Sequence, residues 1–276
     1  MSGNFLKAED ARVEVNSAVE VFDAVTSVKQ SGDHGCGFRL PVGAALWTII
    51  GRGTATKFRT HNFSMIALGI DSGTQSTKTI AIELETGKVL AAAQKSYGLI
   101  EGLPQGHLEQ DPQEWTDAVE DTVAQVLAAL GPRKHEVSAI GVSGQQHGFV
   151  PLNAAGQVIR PAKLWCDTST VDQCRQFEAK FGGAEELIKL AGNAMLPGYT
   201  APKILWLKQN EPHHFKALAT VLLPHDYLNF FLTGERTMEF GDASGTGLMD
   251  VRAREWCKPL VDFIDPDLAA TIPSIA

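Results

Sequence analysis

Short polar stretches at the ends of apolar runs hold the residue types that chemistry on a phosphate or a polyol would need. One follows the apolar run from Ile66 and reads Asp71-Ser-Gly-Thr-Gln-Ser-Thr-Lys78. Gly73 lacks a Cβ, so the backbone there can turn tightly and come close to an anion. The exposed N–H groups and the hydroxyls of Ser72, Thr74, Ser76 and Thr77 can donate to phosphate oxygens, and Lys78 adds a point charge. Asp71, at the strand end, suits a hydrated Mg²⁺, an ion that takes one or two carboxylates and keeps most of its waters. From Thr77 to Leu84 apolar and polar residues alternate, so the stretch reads as the turn of a β-hairpin and not as the strand-to-helix step of a Walker loop. A Gly-Thr turn that binds nothing satisfies the same pattern.

Further along, Gly144-Gln145-Gln146-His147-Gly148 sets two amides and an imidazole between glycines, directional donors and acceptors for a polyhydroxylated ligand. A satisfied loop histidine is the alternative. Leu164-Trp165-Cys166-Asp167 offers an aromatic face beside a carboxylate; its other reading is a core tryptophan followed by a helix cap at Asp167, Thr168 or Ser169. Gly241-Asp242-Ala-Ser-Gly-Thr-Gly247 places a carboxylate among small residues, where it can approach a substrate hydroxyl and accept its proton. As an isolated stretch it is equally a turn.

The elements that must position these stretches read as α/β. Strands are expected from Ile66, from Thr77 and over residues 88–97, forming a meander, with another strand over residues 137–143. Between them a helix is well marked. Asp111 caps it, Pro112 fits its first turn, and Glu114 can close a capping box. Trp115, Ala118, Val119, Val123, Val126, Leu127 and Leu130 share one face before Gly131-Pro132 stops it. Downstream the pattern turns mostly helical, with one helix starting at a Thr200 cap and ending at Glu211-Pro212. Antiparallel strands, a helix and further strands suggest an actin-like nucleotide-binding layer.

With 276 residues, 44% of them hydrophobic and 20% charged, the chain can bury a substantial core in one or two domains. A net charge of −8 argues against nucleic-acid or anionic-membrane partners, which need a basic face. Cys36, Cys166, Cys174 and Cys257 show neither C-x-x-C pairing nor zinc-like spacing, so free thiols in a reducing cytoplasm are expected. No apolar run has bilayer-spanning length and no secretory signal is legible. Residues 1–64 differ in character from the rest of the chain; Met65 reads as the natural start of the domain, and the preceding segment as an extension that is poorly ordered or an artefact of gene prediction. Its acidic residues argue against an organellar presequence.

Taken in order, Asp71-Ser-Gly-Thr74 with Lys78, Gly144–Gly148, Leu164–Asp167, Gly192-Asn193 with Gly198–Lys203, Leu223-Pro-His-Asp-Tyr-Leu228 and Asp242–Thr246 resemble the N-terminal domain of the FGGY carbohydrate kinases, and within them the xylulokinases. The resemblance runs from Met65 to about the C-terminus. It implies a ribonuclease-H-like (actin-like ATPase) α/β fold, the N-terminal lobe of a two-lobe sugar kinase. It further implies ATP- and Mg²⁺-dependent phosphorylation of D-xylulose to D-xylulose 5-phosphate. By matching position, Asp242 is the general base, and Gln146, His147, Trp165 and Asp167 hold the sugar. Asp71, Gly73, Thr74, Gln75, Ser76 and Lys78 face the phosphates, and Asp71 the metal. Glycerol kinases carry an Asn-Gln-Arg-Glu type sequence where this chain has Gly144–Gly148, which favours a ketopentose as the small-molecule partner.

The family's second, ATP-binding lobe is missing from this sequence, so the chain alone is expected to be inactive or severely impaired, because phosphoryl transfer needs both walls of a closed cleft. A homodimer of the full-length protein is left open. The competing readings are a non-catalytic sugar-binding or regulatory module, and another actin-like ATPase such as a chaperone.

Overall fold

The computed structural model describes residues 65–275. The expected N-terminal extension over residues 1–64, and Cys36 within it, lie outside the described residues. Ile66–Ser72 (β1), Ser76–Glu83 (β2) and Lys88–Ser96 (β3) form the expected antiparallel meander. A short strand, Glu109–Gln110 (β4), precedes the long helix Pro112–Leu130 (α1), and Val137–Gly144 (β5) then returns parallel to β1. The main sheet order is β3-β2-β1-β5, the arrangement expected of a ribonuclease-H-like, actin-like domain. Its parallel pair ends in step, with Asp71 opposite Ser143 and Ser72 opposite Gly144. The loops after β1 and β5 therefore leave the sheet side by side, at the carboxyl ends of parallel strands, where α/β sheets place ligands.

The period of each element decides which residues make the core. Ile66, Leu68 and Ile70 alternate inward along β1 and meet Val119, Val126 and Leu130 on the inner face of α1. Trp115 is fully buried there, and Thr79 on β2 meets Thr122 on α1 hydroxyl to hydroxyl at 2.7 Å. Asp111 caps α1 as expected, but its carboxylate takes the Gln113 N–H at 3.0 Å in place of the reciprocal box with Glu114.

Past β5, Val150–Leu152 (β6) and Ala162–Lys163 (β7) lead into a mostly helical half: Val171–Phe181 (α2), Ala184–Ala191 (α3), Thr200–Asn210 (α4) and Pro212–Ala217 (α5). Thr220–Leu222 (β8) pairs with β6 and feeds Pro224–Thr233 (α6), followed by the short helix Phe240–Ser244 (α7) and by Lys258–Ile264 (α8). A second core of Phe149, Phe177, Leu187, Ile204, Leu207 and Leu260 holds this half together. Thr200 is the first residue of α4 and not its cap; its hydroxyl is drawn away to the His147 carbonyl at 3.3 Å. Cys166, Cys174 and Cys257 are free thiols. No described helix is long and apolar enough to cross a membrane.

The two halves of the polar cleft are joined through Gln110, which is fully buried. Its Nε2 donates to the carbonyls of Thr74 (2.7 Å) and Gly98 (3.0 Å). Its Oε1 accepts from Trp115 Nε1 (3.0 Å) and Gln145 Nε2 (3.0 Å). Both donors and both lone pairs of the amide are thus in use. Replacing Gln110→Leu keeps the volume and strands buried donors and acceptors on four neighbours, a loss of about 3 kcal/mol or more. Urea unfolding followed by tryptophan emission should show that drop; an unchanged midpoint would mean that water replaces the amide.

Candidate functional site

The turn between β1 and β2 closes with Gly73 N–H donating to Ser76 O at 3.0 Å. Strand alternation then divides its hydroxyls. Ser72 and Thr77, opposite each other in register, are buried and bond to each other (3.1 Å) and to the Tyr97 hydroxyl (3.0 and 3.2 Å). They brace the turn and are not available to a phosphate, which corrects the expectation that all four hydroxyls face one. Tyr97 completes the brace by donating to Gly73 O at 2.6 Å. Asp71, Gly73, Thr74, Gln75, Ser76 and Lys78 line an open cleft of about 470 Å³. Asp71 and Lys78 are register partners on its wall.

Trp165 lines the same cleft. It is 52% exposed and donates from Nε1 to Thr74 Oγ1 at 3.0 Å, while Thr74 donates to Gln145 Oε1 at 3.2 Å. The alternative of a core tryptophan is therefore excluded, and the ring expected beside the sugar stands against the turn between β1 and β2. Asp167, two residues on, is fully buried. It accepts from Leu108 N–H (2.9 Å), Ser169 N–H (3.0 Å), Ser169 Oγ (2.6 Å) and Lys163 Nζ (3.2 Å). Burial alone would raise its pKa, but the Ser169 hydrogen bond and the Lys163 charge hold it below the usual carboxylate range. With both oxygens committed, Asp167 anchors the Trp165 loop from inside and does not face the open cleft.

His107, Glu109 and Asp167 have the mutual spacing of metal ligands. The Lys163 ammonium already sits among them, 3.2 Å from His107 Nδ1, 3.0 Å from Glu109 and 3.2 Å from Asp167, so the cluster carries its own cation.

Past β5, Gln145 turns inward to Gln110, and Gln146 is exposed. His147 takes a φ of 60°, a conformation costly for a residue with a Cβ. Its carbonyl is held there by Lys203 Nζ at 2.7 Å and Thr200 Oγ1 at 3.3 Å. Lys203 is itself fully buried and bonds also to Gly198 O at 2.5 Å; burial pushes its pKa down to about 7. The His147 ring packs on Tyr199, with centroids 5.0 Å apart, and its buried Nδ1 has no hydrogen-bond partner among the described residues. Burial, then the Lys203 charge, lowers its pKa, so it stays neutral at pH 7 and able to bond a neutral hydroxyl.

Asp242 lies in the single turn of α7, where the Glu239 carboxylate caps the Gly241 and Asp242 N–H groups. Its side chain is nearly buried and pairs through Oδ2 with His225 Nδ1. His225 Nε2 meets Asp226 Oδ1 at 3.2 Å, and Asp226 Oδ2 accepts the Leu223 N–H at 3.1 Å. Close approach makes this possible: a Cβ on Gly144 would lie 2.9 Å from His225 Cβ, and one on Gly245 would lie 2.1 Å from the His147 ring. Two groups thus emerge, Asp71–Lys78 with Trp165, and Asp242 with His147, linked through Gly144 and Gln145. Sequence reasoning missed Tyr97, Gln110, Lys203 and His225 as contributors. For the last two, the signal was a charged or titratable residue inside an otherwise apolar helical pattern.

A model of the FGGY family of carbohydrate kinases, N-terminal domain, matches residues 66–276. A xylulose kinase of Haemophilus influenzae is 38% identical over 205 residues, covering 73% of this chain and 41% of that protein. A xylulose kinase of Bacillus subtilis is 37% identical over 223 residues, covering 76% of this chain and 44% of that protein. The crystal structure of a "xyloylose kinase" from Brucella ovis superposes with a TM-score of 0.71 at 32% identity, covering 76% of this chain and 43% of that one. This chain spans about four-tenths of the length of these curated relatives.

Gly245→Ala would drive a methyl group into the His147 ring and cost about 1–3 kcal/mol as overpacking. Chemical denaturation should register the loss; full stability in the variant would show that the ring has room to rotate away.

Proposed function

Because this chain belongs to the FGGY family of carbohydrate kinases, whose N-terminal domain it carries, we propose that it forms the sugar-binding side of an enzyme that phosphorylates a ketopentose. The reading is transfer of the γ-phosphoryl group of ATP to a hydroxyl of D-xylulose, giving D-xylulose 5-phosphate and ADP. The observation that carries it is the arrangement of Asp242: one carboxylate oxygen is held by His225, and the other has no hydrogen-bond partner among the described residues. A nearly buried, half-engaged carboxylate is what removal of a hydroxyl proton requires.

In this reading the sugar hydroxyl gives its proton to Asp242 Oδ1 as its oxygen bonds to the γ-phosphorus, and the bond to the β–γ bridging oxygen breaks to release ADP. The neutral His147 ring and the exposed Gln146 amide hold the sugar's other hydroxyls, and Trp165 covers the junction between sugar and phosphates. Thr74, Gln75 and Ser76, with the Gly73 backbone and Lys78, receive the phosphates. Asp71, exposed on the cleft wall, fits a Mg²⁺ that keeps its waters and takes one carboxylate; when bound, such an ion neutralises charge on the phosphates. Names of relatives support D-xylulose as the acceptor, and the net charge of −8 supports a small-molecule substrate over a nucleic acid or an anionic membrane.

In the whole protein, Asp242→Asn should lower kcat by about 10²–10⁴-fold with the KM for D-xylulose within a few-fold of the parent. Near-normal turnover would remove Asp242 from the role and favour a sugar-binding module. Addition of Mg·ATP should change the emission of Trp165, and the change should vanish in Trp165→Phe; an identical response in that variant would place the nucleotide elsewhere.

A further inference from the structure

A buried carboxylate–imidazole–carboxylate chain runs from Asp226 through His225 to Asp242, and the proposed reaction leaves its first two members unused. His225 is 9% exposed and Asp226 2%. Both ring nitrogens face a carboxylate oxygen, Nδ1 that of Asp242 and Nε2 that of Asp226 at 3.2 Å. A neutral imidazole has one N–H donor and one lone pair, so it can satisfy only one of these neighbours; the protonated ring satisfies both. Gly144 at the end of β5 lies close against the Cβ and backbone of His225 and leaves no room for a side chain there.

We propose that His225 is a positioning residue for Asp242: as an imidazolium anchored from behind by Asp226, it fixes the rotation of the Asp242 carboxylate so that Oδ1 alone is presented to the sugar hydroxyl. The inference rests on the kinase reading for the role of Asp242, but the clamp itself is a property of this chain. As an imidazolium facing a carboxylate from each nitrogen, His225 has no lone pair to receive the substrate proton. The proton therefore stays on Asp242 Oδ1 until it passes to solvent, and His225 orients without relaying.

The charged groups around the ring agree with this. Burial alone would lower the His225 pKa; the Asp242 hydrogen bond, and the charges of Asp226, Asp242 and Glu239, reverse that and bring it to about 9. Burial raises Asp226 in turn, to about 7 against the pull of the His225 charge, so the rear carboxylate is mostly charged at pH 7.5 and the clamp is complete between about 7 and 9. The His147 ring, which also feels the Asp242 charge, is kept neutral by burial and by the Lys203 charge. His225 is thus the standing cation against this carboxylate. His225, Glu239 and Asp242 also have metal-ligand spacing, but an imidazolium has no lone pair left for an ion.

A histidine whose folded pKa is raised keeps its clamp through neutral pH and loses it as pH rises through about 9, when one nitrogen gives up its proton and one carboxylate its partner.

The first test needs no activity: ¹H–¹⁵N spectra of the histidine side chains of the unmodified chain, assigned by loss of the His225 signals in His225→Asn. The expected result is a ring protonated on both nitrogens at pH 7.5, titrating near 9, with a pKa that falls toward the ordinary value of about 6.5 in Asp242→Asn. A ring that is neutral at pH 7.5, or indifferent to Asp242→Asn, overturns the clamp. The second test uses the whole protein. In His225→Asn the amide retains a donor toward Asp242 but cannot titrate, so the alkaline fall in kcat centred near 9 should disappear. In His225→Leu kcat should drop at least tenfold with KM for D-xylulose unchanged. An alkaline limb that persists in His225→Asn also overturns the clamp. Loss of all kinase activity with an intact titration would instead count against the kinase reading alone.

Discussion

Everything at the cleft hangs on one buried amide. Gln110 meets the carbonyl of the turn between β1 and β2, the carbonyl after β3, the indole of α1 and the amide of the loop after β5, and it has no capacity left over. In a buried position each of those groups would otherwise be stranded, so the turn, the helix and the loop hold one another in place. The parallel register of β1 with β5 brings the two loops alongside, and Gln110 joins them. A polar turn proposed to wrap an anion needs such bracing, because backbone groups left free for a ligand cannot also hold the turn together.

The helical half is built around buried charge. Lys163 is fully enclosed by Glu109, Asp167 and Ser169 and lies 4.0 Å from the centroid of the Trp206 ring. Arg160 continues the network to Glu109 at 2.7 Å and Glu211 at 3.0 Å. Such a network tolerates no partial occupancy, since removing one member leaves the others charged in a dry interior. Its visible consequence is geometric: it fixes Asp167 and with it the Trp165 loop, which stands over the turn between β1 and β2. Lys203 does the same for the other loop without a carboxylate in hydrogen-bond contact, holding the carbonyl of His147 in a conformation that the residue would not adopt alone.

The two acidic residues proposed for catalysis are thereby set in unlike surroundings. Asp71 is exposed beside Lys78, where a hydrated ion can reach it. Asp242 is nearly enclosed, capped through its backbone by Glu239 and gripped on one oxygen by His225. The glycines at 144 and 245 are what permit that enclosure, for each lies where a methyl group would collide with a histidine ring or its Cβ.

Much of this was legible in the residues alone. The change from alternating to helical period marked β1, β2, β3, α1 and β5, because hydrophobic alternation and face-sharing are local consequences of backbone geometry. The Asp71–Lys78 stretch announced a turn that could hold a phosphate, since glycine and hydroxyl placement depends on near neighbours only. What the sequence could not decide was which polar side chains point in. Ser72 and Thr77 look like Thr74 and Ser76 until the register sends them under the sheet, and Asp167, expected to face a ligand, is buried, whereas Trp165 is exposed as its ligand-facing reading expected. Nor could it place His225 against Asp242, or Gln110 at the junction of three elements. Those contacts join residues far apart along the chain, and they arise only when packing brings two strand ends and two helix starts to one point, where the cost of an unpaired buried group selects a single arrangement.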